Sequence, residues 1–214
     1  MPETDSRGAP IDAVVFDLGN VLVEWSRDRL YEQVIPDPQQ RAFFFEHIAT
    51  MDWNLALDRG LGFDQGVAEL AGSHPDWRIE IEAYRDRWVE MLGPADDAAV
   101  ALMRELKHEG YGVFGLTNWS AETFPFAEER FAFLGELDGI VVSGREGVVK
   151  PEREIYDLLC ERFGLHPQRL VFTDDSPPNV AAATQFGWNA HLWTGAPGFR
   201  SELARRGVLR REPG

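Results

Sequence analysis

The chain has 214 residues, 44% hydrophobic and 27% charged, with 7 Trp and 14 Phe. That composition fits a soluble globular protein of one domain, or one domain carrying an insertion, and is too aromatic for a disordered chain. The formal net charge of -15 argues against general nucleic-acid binding, because an acidic surface repels phosphate backbones; a small anion would need a local positive site from a metal, a lysine or a helix N-terminus.

The first apolar run, 13–16, reads as a strand. Residues 25–92 then hold no convincing strand and are rich in helix formers and aromatics, among them Tyr31, Phe44, Trp53, Phe63, Tyr84 and Trp88. This stretch reads as an all-helical insertion whose aromatics build a small core of their own. From there the pattern alternates. Helix 97–109 precedes strand 112–116, helix 121–130 precedes strand 139–142, helix 152–163 precedes strand 170–172, and helix 179–186 precedes strand 190–193. Alternation implies crossover connections and a mostly parallel sheet with helices on both faces. Several strands are apolar throughout, as expected where both faces are covered. The expected fold class is therefore α/β, a Rossmann-like doubly wound sheet with a small helical cap inserted after the first strand. Residues 1–24 and 93–214 would form the core and 25–92 the cap.

The polar start of the chain shows no apolar segment of a signal peptide, and no apolar run nears the roughly 18 residues of a membrane span. Cys160 is the single cysteine, which fits a reducing compartment and a cytoplasmic location.

Ligands of open α/β sheets bind beyond the carboxyl ends of the strands. Asp17, Gly19 and Asn20 follow the first strand, Thr117 and Asn118 the second, Lys150 and Pro151 the third, Asp174 and Asp175 the fourth. One such residue is common in turns; four groups in register over four strands are not. The types suit phosphoryl transfer. A carboxylate can attack phosphorus and form an acyl phosphate. Further carboxylates suit Mg²⁺, which offsets charge on the transferring group. An ammonium and a hydroxyl stabilise the same oxygens.

The segments 14–22, 116–118, 150–151 and 171–176, in that order and spacing, resemble the four motifs of the haloacid dehalogenase-like superfamily. The helical insertion occupies the place of that superfamily's small cap. The Asp-Leu-Gly-Asn form of the first motif is similar to the branch that contains bacterial α-D-glucose-1-phosphate phosphatase. The resemblance implies a phosphatase acting on a small phosphorylated metabolite through an aspartyl phosphate. Asp17 then matches the nucleophile and a metal ligand, and Gly19 the position that offers its carbonyl to Mg²⁺. Thr117 and Asn118 match the phosphate-binding pair and Lys150 the lysine. Asp175 matches the second metal carboxylate, with Asp174 beside it as support or alternative ligand.

Two positions depart from the pattern. The superfamily's phosphatases usually carry an acid two residues after the nucleophile, where this chain has Gly19. Glu24 is near enough in sequence to be a substitute, or the substrate brings a good leaving group such as an anomeric sugar phosphate. Asn179 stands where an Asp is common, which would weaken the metal site. Two alternative functions follow: a metal-independent 2-haloacid dehalogenase, against which Asp174 and Asp175 argue, and a catalytically weak or regulatory protein, kept open by Gly19. The motif 110–115 fits G-x-G-x-x-G but opens a strand, the reverse of a dinucleotide site. No oligomeric state follows from the sequence.

Overall fold

A computed structural model of the chain describes residues 10–210; most of the polar start, and Arg211 of the basic tail, lie outside the described residues. In chain order, β1 (Ala13–Phe16) leads through a tight turn to β2 (Val23–Trp25). Helices α1 (Asp28–Val34), α2 (Pro38–Phe43), α3 (Met51–Asp58), α4 (Phe63–Ser73) and α5 (Arg78–Asp86) follow, and β3 (Leu92–Ala95) closes this excursion. Next come α6 (Asp97–His108), β4 (Gly112–Thr117), α7 (Phe124–Arg130), β5 (Gly139–Val142) and the single turn α8 (Ser143–Glu146). The chain continues with α9 (Arg153–Phe163), β6 (Leu170–Asp174), α10 (Pro177–Gln185), β7 (Asn189–Leu192) and α11 (Ala196–Arg205).

Five strands form one parallel sheet in the order β5-β4-β1-β6-β7. The fold is thus α/β, as the alternation requires. β1 lies at the centre, with Ala13 opposite both Gly112 and Leu170. The chain builds outward from β1 to β4 and β5, then returns to the other side for β6 and β7. That reversal opens a crevice at the carboxyl end of β1.

Successive strand residues point to opposite faces. Val14 and Phe16 enter one core, Ala13 and Val15 the other. All four are buried, which is why this strand is apolar without alternation. Helix starts follow local chemistry. Asp96 caps α6 by accepting from the Ala99 N–H at 2.9 Å, and α10 opens on Pro177 and Pro178, whose missing N–H groups cost nothing in a first turn.

Two features differ from the sequence expectation. β2 and β3 pair antiparallel as a short ribbon where the helical excursion leaves and returns, so Trp25 ends one strand and Leu92 begins the other. A Cβ at Gly93 would lie 2.7 Å from Glu24 Cβ, so glycine permits this close pairing. Nor is the aromatic core of the excursion separate. Tyr31, Phe44, Phe63 and Tyr84 are continuous with the core on the Val14 face of the sheet. α3 itself is capped by Thr50, whose hydroxyl accepts from the Trp53 N–H at 3.2 Å. Arg205 and Arg206 of the basic tail are bound to Glu202 on α11.

Candidate active site

Asp17 directly follows β1, and its N–H still donates to the Thr173 carbonyl at 2.9 Å. The side chain is therefore aimed by the sheet. The next residues fold into a compact turn in which the Leu18 carbonyl accepts from the N–H groups of Leu22 and Val23, each at 2.9 Å. Asn20 adopts a left-handed φ of 56°, a conformation Asn tolerates better than most residues. Its Oδ1 accepts from the Trp25 N–H at 3.0 Å, and its side chain also bonds to the Asp175 carboxylate.

Lys150 organises the floor of the crevice. Its Nζ lies 3.0 Å from Asp17 Oδ1, 2.6 Å from Asp174 Oδ2 and 2.8 Å from the Leu116 carbonyl. An ammonium has three donors, and all three are used. The Asn118 amide clamps the lysine's backbone, donating to its carbonyl at 2.9 Å and accepting from its N–H at 2.8 Å.

Asp174 is fully buried behind this floor. Its Oδ1 accepts from the Ser176 N–H at 2.8 Å, and Asn179 Nδ2 lies 3.1 Å from both of its oxygens. Asn179 therefore holds Asp174 in place, a use for the amide that the sequence pattern does not reveal. Asp175 is exposed and lines the cavity.

Carboxylate oxygens of Asp17, Asp174 and Asp175 lie within 4.8 Å of one another. Burial pushes the Asp17 carboxyl up to about 8, against the pull of Lys150 and with added repulsion from Asp174 and Asp175. Burial also raises Asp175, and Asp174 adds to it. For Lys150, burial opposes the charged form, but its two carboxylate neighbours outweigh that and leave its pKa raised. Three carboxyls facing one ammonium lack positive charge. The cluster offers hard oxygen donors and no sulfur or imidazole, a set that fits Mg²⁺.

Above the floor is a cavity of about 390 Å³ lined by Asp17, Gly19, Thr117, Asn118, Lys150 and Asp175. Six of the seven site residues expected from the sequence thus meet there, and Asp174 supports them from behind. Thr117 ends β4 and is buried. The excursion contributes Asn54, Leu55 and Asp58 from α3, and Trp25, Trp88 and Trp119 complete the walls. Trp53 does not reach the cavity: it packs against Tyr84 and donates its indole N–H to the Gly66 carbonyl at 3.3 Å. Glu24 does not line the cavity either; its side chain is 61% exposed and lies 3.7 Å from Arg29, so it is no substitute acid. Asn20 had a local signal, since it lies inside the first motif, whereas Asn179 lies beyond the fourth and reads in sequence only as a departure from an acidic position. Asp58 had none, because only the tertiary fold brings α3 over the strand ends.

The family model for haloacid dehalogenase-like hydrolases matches residues 11–187. The sesquiterpene phosphatase astK of Aspergillus oryzae is 29% identical over 176 residues, 82% of this chain and 86% of its own. The D-ribitol-5-phosphate phosphatase of Bacteroides thetaiotaomicron is 21% identical over 210 residues, 90% of this chain and 97% of its own. Among solved structures, a haloacid dehalogenase family enzyme from Bacteroides thetaiotaomicron in complex with magnesium superposes with a TM-score of 0.70 at 20% identity. That match covers 90% of this chain and all of the other, and supports the fold.

Proposed function

The chain belongs to the haloacid dehalogenase-like hydrolase family, and from that premise we propose that it is a Mg²⁺-dependent phosphatase of small phosphate esters that works through an aspartyl phosphate on Asp17. One observation carries this reading. Asp17 meets Lys150, Thr117 and a cluster of further carboxylates at the floor of one cavity. That is a nucleophile, two groups that stabilise phosphoryl oxygens, and a cation site.

Asp17 attacks phosphorus, and the ester P–O bond breaks as the acyl phosphate forms. Water then cleaves the acyl phosphate, releasing inorganic phosphate and restoring Asp17. Lys150 holds the attacking carboxylate by a 3.0 Å contact, and its charge offsets that of the incoming phosphoryl group. Thr117 donates to an equatorial oxygen. Asp17, Asp175 and the Gly19 carbonyl would hold Mg²⁺, with Asp174 as their support, because Asp174 is spent on Lys150, Ser176 and Asn179. The metal's contribution is to neutralise charge that would otherwise repel an anionic substrate from an anionic nucleophile.

The helices between β2 and β3 act as the cap over the strand ends. Tryptophans and α3 polar groups in the cavity lining suit a small polyol or sugar phosphate, and α-glucose 1-phosphate is the first such ester to try. Relatives named for a polyol phosphate and a sesquiterpene phosphate support phosphate-ester chemistry. Phosphate release from a panel of esters, with Mg²⁺ and with EDTA, tests the proposal. Activity on at least one ester that disappears in EDTA is expected; no release from any ester with Mg²⁺ present would sink it. Halide release from 2-chloropropionate in EDTA would favour the dehalogenase alternative.

A further inference from the structure

Protonation of the departing ester oxygen has no donor at position 19. A Cβ there would meet nothing within 4 Å, so the cavity is open where an acid side chain would lie. Among the described residues, four carboxylates line the cavity: Asp17, Asp52, Asp58 and Asp175. Asp17 and Asp175 belong to the phosphoryl and metal site. Asp52 is solvent-exposed. Asp58 remains, at the last position of α3. We infer that Asp58 is the general acid of this enzyme, supplied by the helical excursion in place of the side chain missing at position 19. The inference rests on the phosphatase reading above.

Its position is defined from both sides of the cavity. Asn54 Nδ2 donates to Asp58 Oδ2 at 2.8 Å, and the Tyr84 hydroxyl donates to Asn54 Oδ1, which fixes the amide's orientation. From the sheet side, the Ser120 N–H donates to the Asp58 carboxyl, and Ser143 Oγ donates to the Asp58 backbone carbonyl at 2.5 Å. The excursion and the core thus place this carboxyl jointly, so it is in position only when they are docked together.

Burial pushes the Asp58 carboxyl up to about 7, although its bonds to Ser120 and Asn54 pull it down. An acid catalyst works best with a pKa near the operating pH. The ionisable groups around it do not compete for this role. Burial and the Asp58 charge push the Tyr84 phenol well up, so it stays neutral. Arg59 is turned to Glu152, and Glu122 accepts from the Phe63 N–H at 3.0 Å.

The step balances without a further reactant. As Asp17 forms its bond to phosphorus and the P–O bond breaks, the Asp58 proton passes to the departing oxygen and releases an alcohol. The Asp58 carboxylate then takes a proton from the water that hydrolyses the aspartyl phosphate, which restores both residues. A purely structural Asp58, tying α3 to Ser120, would instead affect all substrates alike.

Rapid-mixing kinetics on the full-length protein with Mg²⁺ separate the two. p-Nitrophenolate leaves without a proton, whereas the alcohol of glucose 6-phosphate needs one. Asp58→Asn should keep a burst of one equivalent of p-nitrophenol and then turn over slowly, while glucose 6-phosphate hydrolysis falls by about 10²–10⁴. Equal losses on both esters would overturn the inference and leave the phosphatase reading intact. A wild type inactive on both, and on the wider panel, would overturn that reading first. If Asp58→Asn does not fold, the wild-type pH profile decides. Glucose 6-phosphate turnover should fall above about pH 7 while release of p-nitrophenol does not; a flat profile for glucose 6-phosphate refutes the assignment.

Discussion

Lys150 is 1% exposed and Asp174 fully buried, and each is the other's charge partner. Removing one member of such a pair leaves an uncompensated buried charge. Lys150→Ala should therefore cost about 3–5 kcal/mol of stability, read by urea unfolding, as well as activity. Lys150→Arg should not rescue it, because a planar fork cannot reproduce three donor directions to Asp17, Asp174 and the Leu116 carbonyl. A loss below about 1 kcal/mol would mean that the pair is solvated. The arrangement was partly legible in the sequence. Strand-end position singled out Asp17, Thr117, Lys150 and Asp175, because strands that alternate with helices end on one edge. What Asn179 does was not legible. As a departure from a carboxylate pattern it reads as a weakened metal site, and only the 3.1 Å contacts to Asp174 reveal an amide that satisfies a buried carboxylate. Asp58 was hidden for another reason: no local pattern relates a helix C-terminus to a distant strand end.

At the scale of elements, the apolar strands were readable because each is a short run of four to six residues set between longer helical patterns, too short for a buried helix. The edge strand β7 was less so. Three of its residues are only partly buried and Leu192 is exposed, and it starts one residue before the expected run. α11 is absent from the expected elements; it opens on Ala196 and Pro197, and Pro at the start of a helix is well tolerated. β2 and β3 are too short to leave a period. The docking of α8 against the turn after β4 is tight: a Cβ on Gly144 would lie 2.4 Å from the Ala121 nitrogen and 2.8 Å from the Trp119 carbonyl. Backbone cannot rotate away as a side chain can. Gly144→Ala should cost roughly 1–3 kcal/mol and shift Trp119 in the cavity wall, raising KM for the best ester. By contrast Arg59→Ala removes an ion pair whose partners are 42% and 38% exposed, and should change stability by less than about 1 kcal/mol. Thermal unfolding of the two variants side by side checks both expectations.

For the whole molecule, a net charge of -15 makes the local cation site decisive, because the surface as a whole repels the anionic substrates its chemistry suits. Within the described residues no helix is long and apolar enough to cross a membrane. Mg²⁺ that binds the folded state alone stabilises it by about 2.7 kcal/mol at a hundredfold excess over Kd. For a chain of this size that is a rise in Tm of roughly 5–10 °C, and Asp175→Asn should remove most of it; an equal rise in the variant would place the metal elsewhere. The account as a whole turns on Asp17 carrying the phosphoryl group. Acid quenching during turnover of p-nitrophenyl phosphate with Mg²⁺, followed by peptide mass analysis, tests this most directly. One phosphoryl group on the peptide containing Asp17, absent in Asp17→Asn and in EDTA, is the predicted result; turnover with no phosphoryl adduct, or full activity in Asp17→Asn, would contradict it.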